Sequence, residues 1–452
     1  MAEPGRSTDD VDELELLTRP GREEDLRTFL LLLHPADVAE LVEDVDERTA
    51  VAILRHLDAE RAANLVSELD GEDAERILRL IVPDELRPIL AEMETDDAAD
   101  LIQDLDELTA SQVLAALPVE DRGDVEQLLA YDPESAGGIM QTELVSIPID
   151  STIGSALEQV RQVADDIDII SCFVVDDVGH YCGHLALQDL VLSKPNTPIE
   201  RVMEPKIVEV KPDVDQEEVA RIFDHYSLVE LGVVDDDGRL IGRITADDVH
   251  EVLVEEAEED MLKMAGTAAE PEVIYSDKIT RIVGQRLPWL GSTFLAGLLA
   301  TWILHRASVV FETAVILLMF VPVITGMSGN VGTQSAMIMI RGMAVGHIEK
   351  EDLGREIIKD LAVASIMAIV CAVCVTGIVT LWQSRVALGL CVGVALGLSM
   401  ITASFLGSTE PAILQRFGID PAVAAGPLIT SLNDISGVTI YTFVSLFFLQ
   451  YL

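Results

Sequence analysis

Five long runs in the C-terminal part of the chain, uncharged apart from one acid, constrain the fold more than any other feature. Each run is about as long as the ~20 residues that an α-helix needs to cross a bilayer. We therefore expect five membrane-spanning helices in an all-α transmembrane domain over residues 283–452. The runs cover residues 287–304, 313–340, 361–382, 386–409 and 421–452, and an acid occurs only in the last.

Acidic residues are concentrated outside these runs. The chain of 452 residues has 79 Asp and Glu against 30 Lys and Arg, a formal net charge of -49, yet residues 283–452 carry nine acids and eight bases. A surface as acidic as that of residues 1–282 repels phosphate backbones, so nucleic-acid binding is excluded. Only seven of the bases are Lys, and such a surface is also typical of a salty cytoplasm. Acidity by itself therefore does not identify a metal site.

The basic residues predict the orientation of the membrane helices. The N-terminus lacks the charged and apolar stretches of a signal peptide, so we expect the acidic part to be cytoplasmic and the C-terminus external. Eight Lys and Arg then lie in cytoplasmic segments, whereas external loops hold Arg306 and Arg385. This excess agrees with the positive-inside rule. The expected location is the cell membrane, crossed several times.

The second and fifth runs share a motif. Residues 322–332 read PVITGMSGNVG and residues 427–437 read PLITSLNDISG, with matching Pro, Ile, Thr and Gly positions. The two helices would cross the membrane in opposite directions. Paired spans interrupted by Pro and Gly, in opposed orientation, indicate a transport site, because a broken helix offers free carbonyl and amide groups to an ion.

Asp434 lies inside the fifth run, where no base of the same run can neutralise it. A carboxylate near the bilayer centre costs about 2.5–3.5 kcal/mol, so such residues usually mark ion pathways. The motif segments contain oxygen-bearing side chains but neither His nor Cys, which favours a hard cation. With one carboxylate per chain, hydrated Mg²⁺ fits better than dehydrated Ca²⁺. The oxygen-bearing neighbours are Asn330, Gln334, Thr430 and Asn433.

The energy source is also constrained. The chain has no G-x-x-x-x-G-K-[ST] phosphate loop, so we do not expect an ATP-driven pump. The remaining mechanism of transport is ion flow down an electrochemical gradient. We predict no enzymatic activity.

An internal repeat marks the N-terminal part. Residues 35–57 align without gaps on residues 95–117, with ten identities in 23 positions. Repeats of short amphipathic helices are typical of an α-solenoid. We predict an acidic helical-repeat domain over residues 23–137, after a disordered segment 1–22.

Two α/β modules follow, over residues 138–200 and 201–254. Each has a β-branched strand, an acidic turn and a second strand, in FVVDDVGHYCGHLALQDL and GVVDDDGRLIGRITADDV. The D-D-G turn is the expected hairpin signal. The pair resembles tandem CBS modules, which commonly bind adenine nucleotides such as ATP. The resemblance assigns ribose contacts to Thr245 and Asp248, and the first module keeps Asp189 but has Ala186 in place of Thr.

The segment 255–282 connects the modules to the membrane domain, and we predict a connecting helix there. Its first residues include five acids within two helical turns. Like charges at i,i+3 and i,i+4 repel, so a bound divalent cation would stabilise this cluster. The acids are Glu255, Glu256, Glu258, Glu259 and Asp260.

The complete domain order resembles the MgtE family of magnesium channels. The segments PVITGMSGNVGTQS (322–335), FGIDPAVAAGP (417–427) and PLITSLNDISG (427–437) carry the resemblance. It implies a homodimer whose second and fifth helices line a pore, in which Asp434 selects hydrated Mg²⁺. Asn330 and the neighbouring backbone at Gly329 would lie beside Asp434.

The resemblance also implies Mg²⁺ sites that close the pore when cellular Mg²⁺ is plentiful. On the connecting helix these would be Glu256, Glu259 and Asp260, facing Asp420 of the membrane domain. Further ligands between the cytoplasmic domains would be Asp248, Glu60, Asp96 and Asp97.

Two other functions stay open on the sequence. Co²⁺ or Mn²⁺ could pass an oxygen-lined pore in place of Mg²⁺. The chain could also be a membrane-anchored nucleotide sensor, in which the spans only anchor the CBS-like pair.

Overall fold

The structure, a computed structural model, divides into two compact units, Met1–Val252 and Leu253–Leu452. Most of segment 1–22 and residues 266–278 of the connecting segment lie outside the described residues. The domain boundaries given above therefore stay predictions. The structure describes residues 11, 14, 16–19, 21–69, 71–119, 121–164, 169–265, 279–307, 315–344, 347–348, 352–417, 420–422 and 424–451.

The first unit begins with successive short helices, which confirms the helical domain that the internal repeat predicts. Its buried apolar side chains form one cluster with those of the second α/β module. The helices are α1 (Glu23–Leu30), α2 (Pro35–Glu43), α3 (Glu47–Leu54), α4 (Ala59–Ser67), α5 (Gly71–Leu78), α6 (Pro83–Leu90), α7 (Thr95–Asp104), α8 (Glu107–Ala116) and α9 (Arg122–Leu128).

Aspartates fix where several of these helices begin. Asp46 accepts a hydrogen bond from the Thr49 amide at 2.8 Å before α3, and Asp106 accepts one from the Leu108 amide at 3.0 Å before α8. A side-chain oxygen at the N-cap satisfies an amide that has no partner within the helix. Asp46 and Asp106 occupy matching positions of the repeat, so the repeat encodes the same helix start twice.

Two leucines before α1 are packed, although they belong to the segment predicted to be disordered. Leu14 and Leu17 are buried and join the core of the helical stack. Burial of an apolar side chain stabilises a fold in proportion to the area removed from water. At least these described residues of segment 1–22 therefore contribute to the first unit.

The two α/β modules contain the predicted strands. β1, β2, β3 and β4 form one sheet in that order, with β1 parallel to β2, and β5 pairs with β6 in a hairpin. The elements are β1 (Ser146–Pro148), α10 (Ile153–Val163), β2 (Ser171–Val175), β3 (Tyr181–Ala186), α11 (Leu187–Leu192), β4 (Glu204–Pro205), α12 (Gln216–Tyr226), β5 (Glu230–Val234), β6 (Leu240–Thr245) and α13 (Ala246–Met264).

The acidic turns close both hairpins in the same way. Asp176 accepts hydrogen bonds from the amides of Val178 and His180, and Asp235 accepts them from the amides of Asp237 and Arg239. An Asp side chain that bonds the backbone two residues on stabilises a tight turn. The repeated sequence pattern therefore folds into a repeated turn.

The second unit contains five helices that are long and apolar enough to cross a membrane, counted over the described residues. They extend beyond most of the uncharged runs because helical structure continues into flanking charged residues, which can reach the membrane surface. A 3₁₀ turn, Val315–Phe320, precedes the second long helix. The helices are α14 (Ile279–Arg306), α15 (Val321–Ala344), α16 (Leu353–Gln383), α17 (Val386–Arg416) and α18 (Ile429–Phe448).

Leu14→Ala tests whether the N-terminal segment is part of the fold. The side chain is 0% exposed, so we expect the free energy of unfolding of the first unit to fall by about 2–5 kcal/mol. Urea denaturation of the unit expressed alone measures this change. Leu16→Ala is the matched control, because Leu16 is 43% exposed, and its effect is expected to be small. Equal, small effects of both substitutions would show that the segment is not packed.

Candidate ion site and regulatory carboxylates

Irregular backbone precedes both helices that carry the shared motif. Pro322 is the second residue of α15, directly after the 3₁₀ turn. In the fifth span a π-helical turn, Ala424–Leu428, contains a kink at Gly426 and leads into α18. Proline is favoured in the first turn of a helix because it has no amide hydrogen to satisfy. The motif therefore marks a helix start in each span.

Hydroxyl groups satisfy carbonyl groups at the break before α18. Thr430 Oγ1 donates to the Gly426 carbonyl at 3.3 Å, and Ser431 Oγ donates to the Pro427 carbonyl at 2.6 Å. In an apolar environment an unsatisfied carbonyl is costly, and Ser or Thr side chains offset that cost. The sequence of the span therefore stabilises the break in the helix.

The motif helices α15 and α18 pack through small residues. A methyl group on Gly332 would overlap the Asn433 side chain, and one on Gly407 of α17 would overlap the backbone of Gly332. A methyl group on Gly437 would approach Ser328 Oγ to 3.1 Å. Small residues let helix backbones approach closely in membrane proteins. Gly332 therefore holds α15 between α17 and α18.

Asn433 and Asp434 point to different sides of α18. Asn433 is fully buried, and its amide nitrogen and oxygen have no hydrogen-bond partner among the described residues. Asp434 is half-buried in α18. Ile429, Gly437 and Tyr441 are buried with Asn433, a spacing that defines one face of a helix. Asp434 lies beside this packed face.

The other predicted pore residues lie outside the packed face. Asn330 and Gln334 are exposed on α15, and Gly329 and Thr430 are half-buried. No hydrogen bond joins Asp434 to Asn330 or Gln334 within the part of the chain that the structure describes. These residues are thus available to ligands or to another chain, and their roles in ion passage stay predictions.

The sequence argument did not select Glu410 of α17. Its Oε2 atom is buried and has no hydrogen-bond partner among the residues described here. The signal was present, because Glu410 directly follows the fourth uncharged run. A carboxylate placed in this way within a span is a functional candidate by the same argument as Asp434.

A cluster of carboxylates lies inside the first unit, around the start of α7. Burial, followed by the charges of Asp97 and Asp248, raises the pKa of Glu94 to about 7. Burial, followed by the charge of Asp248, raises the pKa of Asp97 to about 6. The same causes raise the pKa of Asp96 and of Glu251. These groups repel one another when ionised.

Gln141 faces this cluster with its amide nitrogen. Its Nε2 lies 3.3 Å from Glu94 Oε2 and 3.4 Å from Asp96 Oδ2. The orientation is fixed, because Arg243 Nε donates to Gln141 Oε1 at 2.8 Å and Arg243 pairs with Glu230 at 2.7 Å. Both charged side chains are 3% exposed. A paired, hydrogen-bonded buried charge holds its neighbours in one geometry.

The structure therefore brings together three of the four predicted ligands of the cytoplasmic domains, Asp96, Asp97 and Asp248. The fourth, Glu60, is exposed on α4 and has no hydrogen bond or ion pair within the described part. Sequence reasoning missed Glu94, Glu251 and Gln141. Glu94 directly precedes α7 and Glu251 follows Asp248 by one helical turn. Glu94 is half-buried and Glu251 is exposed, so their place beside the other carboxylates becomes evident only in the fold.

The cluster does not form a closed metal cage. Within the described residues, no group of three or more His, Cys, Asp or Glu is arranged to hold a metal ion. Mg²⁺ commonly keeps several of its waters and binds through one or two carboxylates. The oxygen-only donors and their mutual repulsion fit such a hydrated ion.

The nucleotide contacts expected in the second α/β module also come together. Thr245 donates to Asp248 Oδ2 through its hydroxyl at 2.6 Å and through its amide at 3.1 Å. Asp248 thus belongs to both the predicted nucleotide site and the carboxylate cluster. In the first module Asp189 is half-buried in α11, where Ala186 gives the helix start no side-chain cap.

A second group of acids lies at the end of α13, inside the second unit. Lys263 Nζ lies 2.6 Å from Glu259 Oε2 and 2.6 Å from Asp420 Oδ2. Burial, followed by the charge of Asp420, raises the pKa of Asp260. Glu256 is half-buried on the same helix. The structure therefore brings Glu259, Asp260 and Asp420 together, with an ammonium group among them.

Comparison with known proteins supports this architecture. The profile of MgtE, described as "Divalent cation transporter", matches residues 321–444. The "MgtE intracellular N domain" matches residues 33–134, and CBS domains match residues 136–194 and 199–255. The magnesium transporter MgtE of Thermus thermophilus is 36% identical over 331 residues, 73% of this chain and 73% of that protein. The magnesium transporter MgtE of Enterococcus faecalis is 33% identical over 330 residues, 73% of this chain and 72% of that protein.

The chain belongs to the MgtE family. MgtE proteins are transporters, which confirms that the chain is not an enzyme. The five apolar helices and the family together make it a multi-pass protein of the cell membrane. The predicted fold class, a helical domain, a CBS pair and an all-α transmembrane domain, is confirmed.

Two solved structures resemble the first unit. The cytosolic domain of the Mg²⁺ channel MgtE in complex with ATP is 34% identical, with a TM-score of 0.51, over 54% of this chain and 99% of that chain. The soluble part of a magnesium transporter is 29% identical, with a TM-score of 0.51, over 55% of this chain and 98% of that chain. The first unit therefore has the fold of an MgtE cytosolic domain.

The carboxylate cluster predicts how the stability of the first unit depends on pH. The folded pKa values, about 7 for Glu94 and about 6 for Asp97, exceed the ordinary values of 4.5 and 3.8. The folded state keeps protons that the unfolded state releases, so stability is lost as the pH rises through this window. We expect the thermal midpoint to fall between about pH 5 and pH 8 without Mg²⁺. The unit expressed alone is the sample.

Mg²⁺ should restore the midpoint more at the higher pH, because protons compete with it for the carboxylates. The double variant Glu94→Gln with Asp97→Asn is expected to flatten the pH dependence and weaken the Mg²⁺ effect. A midpoint shift by Mg²⁺ of equal size at both pH values would contradict this assignment of the cluster.

Proposed function

We propose that this MgtE family member is a Mg²⁺-selective channel or transporter that mediates magnesium uptake. Its relatives in Thermus thermophilus, Enterococcus faecalis and Bacillus subtilis bear the name magnesium transporter. The observation that carries the proposal is the half-buried Asp434, which lies in an apolar span directly after a broken helix start. Such a carboxylate attracts a cation, because nothing in the described residues neutralises it.

The chemistry around Asp434 favours Mg²⁺. Asn330, Gln334 and Thr430 offer neutral oxygens on the two motif helices, and oxygen ligands suit hard cations. A hydrated Mg²⁺ needs one or two carboxylates and exchanges its waters reluctantly. It can therefore be recognised through its hydration shell. Co²⁺ and Mn²⁺ are the alternative cargoes, and ion competition distinguishes them.

A homodimer completes this pore. Two copies of Asp434 near one axis would supply the two carboxylates that commonly hold Mg²⁺. The exposure of Asn330 and Gln334 in the single chain supports a partner at this surface. In the same proposal the N-terminal domains are cytoplasmic and the C-terminus is external, as the basic residues predict.

Mg²⁺ closes the pore in this proposal by neutralising acids in both units. In the first unit the ions would bind at Asp96, Asp97 and Asp248, and Glu60 is a further predicted ligand. On the connecting helix they would bind at Glu256, Glu259, Asp260 and Asp420. Without cation these carboxylates repel, and with cation they can approach. The closed state is thereby coupled to the cellular Mg²⁺ concentration.

ATP is a second ligand of the proposal, bound at the CBS pair. The support is the ATP complex of the related cytosolic domain and the Thr245–Asp248 pair. Because Asp248 also belongs to the carboxylate cluster, a nucleotide there would change the cation site directly. A sensor without transport is the rival function.

Asp434→Asn tests the pore. The substitution removes the charge and keeps the shape, so we expect Mg²⁺ uptake into proteoliposomes to fall by about tenfold or more. Asp360→Asn is the matched control, because Asp360 accepts a hydrogen bond from Ser404 at 2.7 Å and an amide oxygen can still accept it. Under the rival function, a membrane-anchored sensor, Asp434 plays no part in transport. Neither substitution then changes the uptake that the wild-type protein shows, even if that uptake is zero. Wild-type uptake in Asp434→Asn would refute the proposal.

Combined neutralisation of Glu256, Glu259 and Asp260 to Gln, Gln and Asn tests gating. Without these carboxylates Mg²⁺ loses its predicted ligands on the connecting helix, so we expect channels that stay open at high cytosolic Mg²⁺. Patch-clamp recording measures the open probability. A control with the same change in charge is Glu23→Gln, Glu24→Gln and Asp25→Asn in α1, where the side chains are exposed. Normal closure in the first variant would remove these acids from the sensor.

A further inference from the structure

The end of α13 carries its own positive charge at the predicted metal position. Lys263 contacts Glu259 and Asp420, both proposed ligands, at 2.6 Å each. Its side chain is 22% exposed. Although burial opposes the charge, the hydrogen bonds that Lys263 donates to Asp420 and Glu259 raise its pKa above the ordinary value. The group is therefore an ammonium ion at cytosolic pH.

The two contacts join separate parts of the second unit. Glu259 precedes Lys263 by one helical turn, the favourable order for an ion pair along a helix. Asp420 lies between α17 and α18, and its other oxygen accepts a hydrogen bond from the Ala422 amide at 2.7 Å. The carboxylate is thus fixed at the start of the fifth span. Lys263 ties the connecting helix to it.

Apolar packing supports the same contact. Met264, the next residue, packs against a buried cluster of Ala336, Ile340, Ala422 and Ile429. This cluster includes residues of α15 and α18, the two motif helices. The end of α13 is therefore attached to the Asp420 loop by an ion pair and to the motif helices by side-chain packing.

We propose that Lys263 is a tethered cation that holds the connecting helix on the Asp420 loop when Mg²⁺ is scarce. The inference rests on the proposed function and adds a regulatory residue to it. The ammonium occupies the same oxygens that Mg²⁺ would use, so it partly replaces the ion and also competes with it. Closure then has a component that does not depend on Mg²⁺. Removing Lys263 leaves Glu259, Asp260 and Asp420 to repel one another.

The test is Mg²⁺ uptake by the full chain in proteoliposomes, with and without Mg²⁺ on the cytoplasmic side. For Lys263→Gln we expect uptake without cytoplasmic Mg²⁺ to rise by about two- to fivefold, the range that a partly exposed ion pair supplies. High cytoplasmic Mg²⁺ should still close the pore. Lys263→Arg keeps the charge and is expected to remain near wild type.

Two further variants make the result specific. Lys359→Gln removes a lysine that pairs with Glu356 at 2.7 Å elsewhere in the unit, and it should not change uptake. Glu259→Gln with Asp420→Asn removes the partners and keeps Lys263, and it should raise uptake without Mg²⁺ as Lys263→Gln does. The double variant Glu259→Gln with Asp420→Asn keeps the test decisive if Lys263→Gln does not assemble.

The outcomes separate this inference from the proposed function. Unchanged uptake in Lys263→Gln and in the partner variant, with Asp434→Asn inactive, overturns the role of Lys263 and leaves the pore intact. Wild-type uptake in Asp434→Asn overturns the proposed function itself. An equal rise for Lys263→Gln and Lys359→Gln also contradicts the inference, because it reports only a loss of positive charge.

Discussion

The repulsion between carboxylates that are partly removed from water is the interaction on which this protein depends. In the first unit Glu94, Asp96, Asp97 and Asp248 lie close together, and burial makes each charge more costly. In the second unit Glu259, Asp260 and Asp420 form a similar group. Burial without full neutralisation stores unfavourable free energy that a cation can release. Neutral or basic side chains contact these acids and hold them in place in the fold.

Those partners differ between the two groups. Gln141 offers a neutral amide to the first, held in position by the buried Arg243–Glu230 pair. Lys263 offers a full charge to the second. A neutral donor does not compensate the negative charge of the carboxylates, whereas an ammonium group compensates much of it. The first group is therefore the more dependent on an external cation, and the second is already partly compensated.

Much of the fold could be predicted from the sequence, because local patterns decide it. Uncharged runs of sufficient length predict the five spans, and the internal repeat predicts the helical domain. The site was harder to predict from the sequence, since it depends on contacts between residues that are far apart in the chain. Arg243 and Gln141 are 102 residues apart, and no pattern connects Lys263 with Asp420. The burial of Asn433 did have a signal, because Ile429, Asn433, Gly437 and Tyr441 recur at helical spacing, with Asp434 beside them.

The most direct test of the account is the flux of Mg²⁺ and Ca²⁺ measured on the same proteoliposomes while cytoplasmic Mg²⁺ is raised. If one unneutralised carboxylate per chain recognises a hydrated ion, Mg²⁺ passes and Ca²⁺ passes poorly. The Mg²⁺ flux then stops as the cytoplasmic carboxylates bind Mg²⁺. Equal passage of Ca²⁺, or a Mg²⁺ flux that is independent of cytoplasmic Mg²⁺, would contradict it.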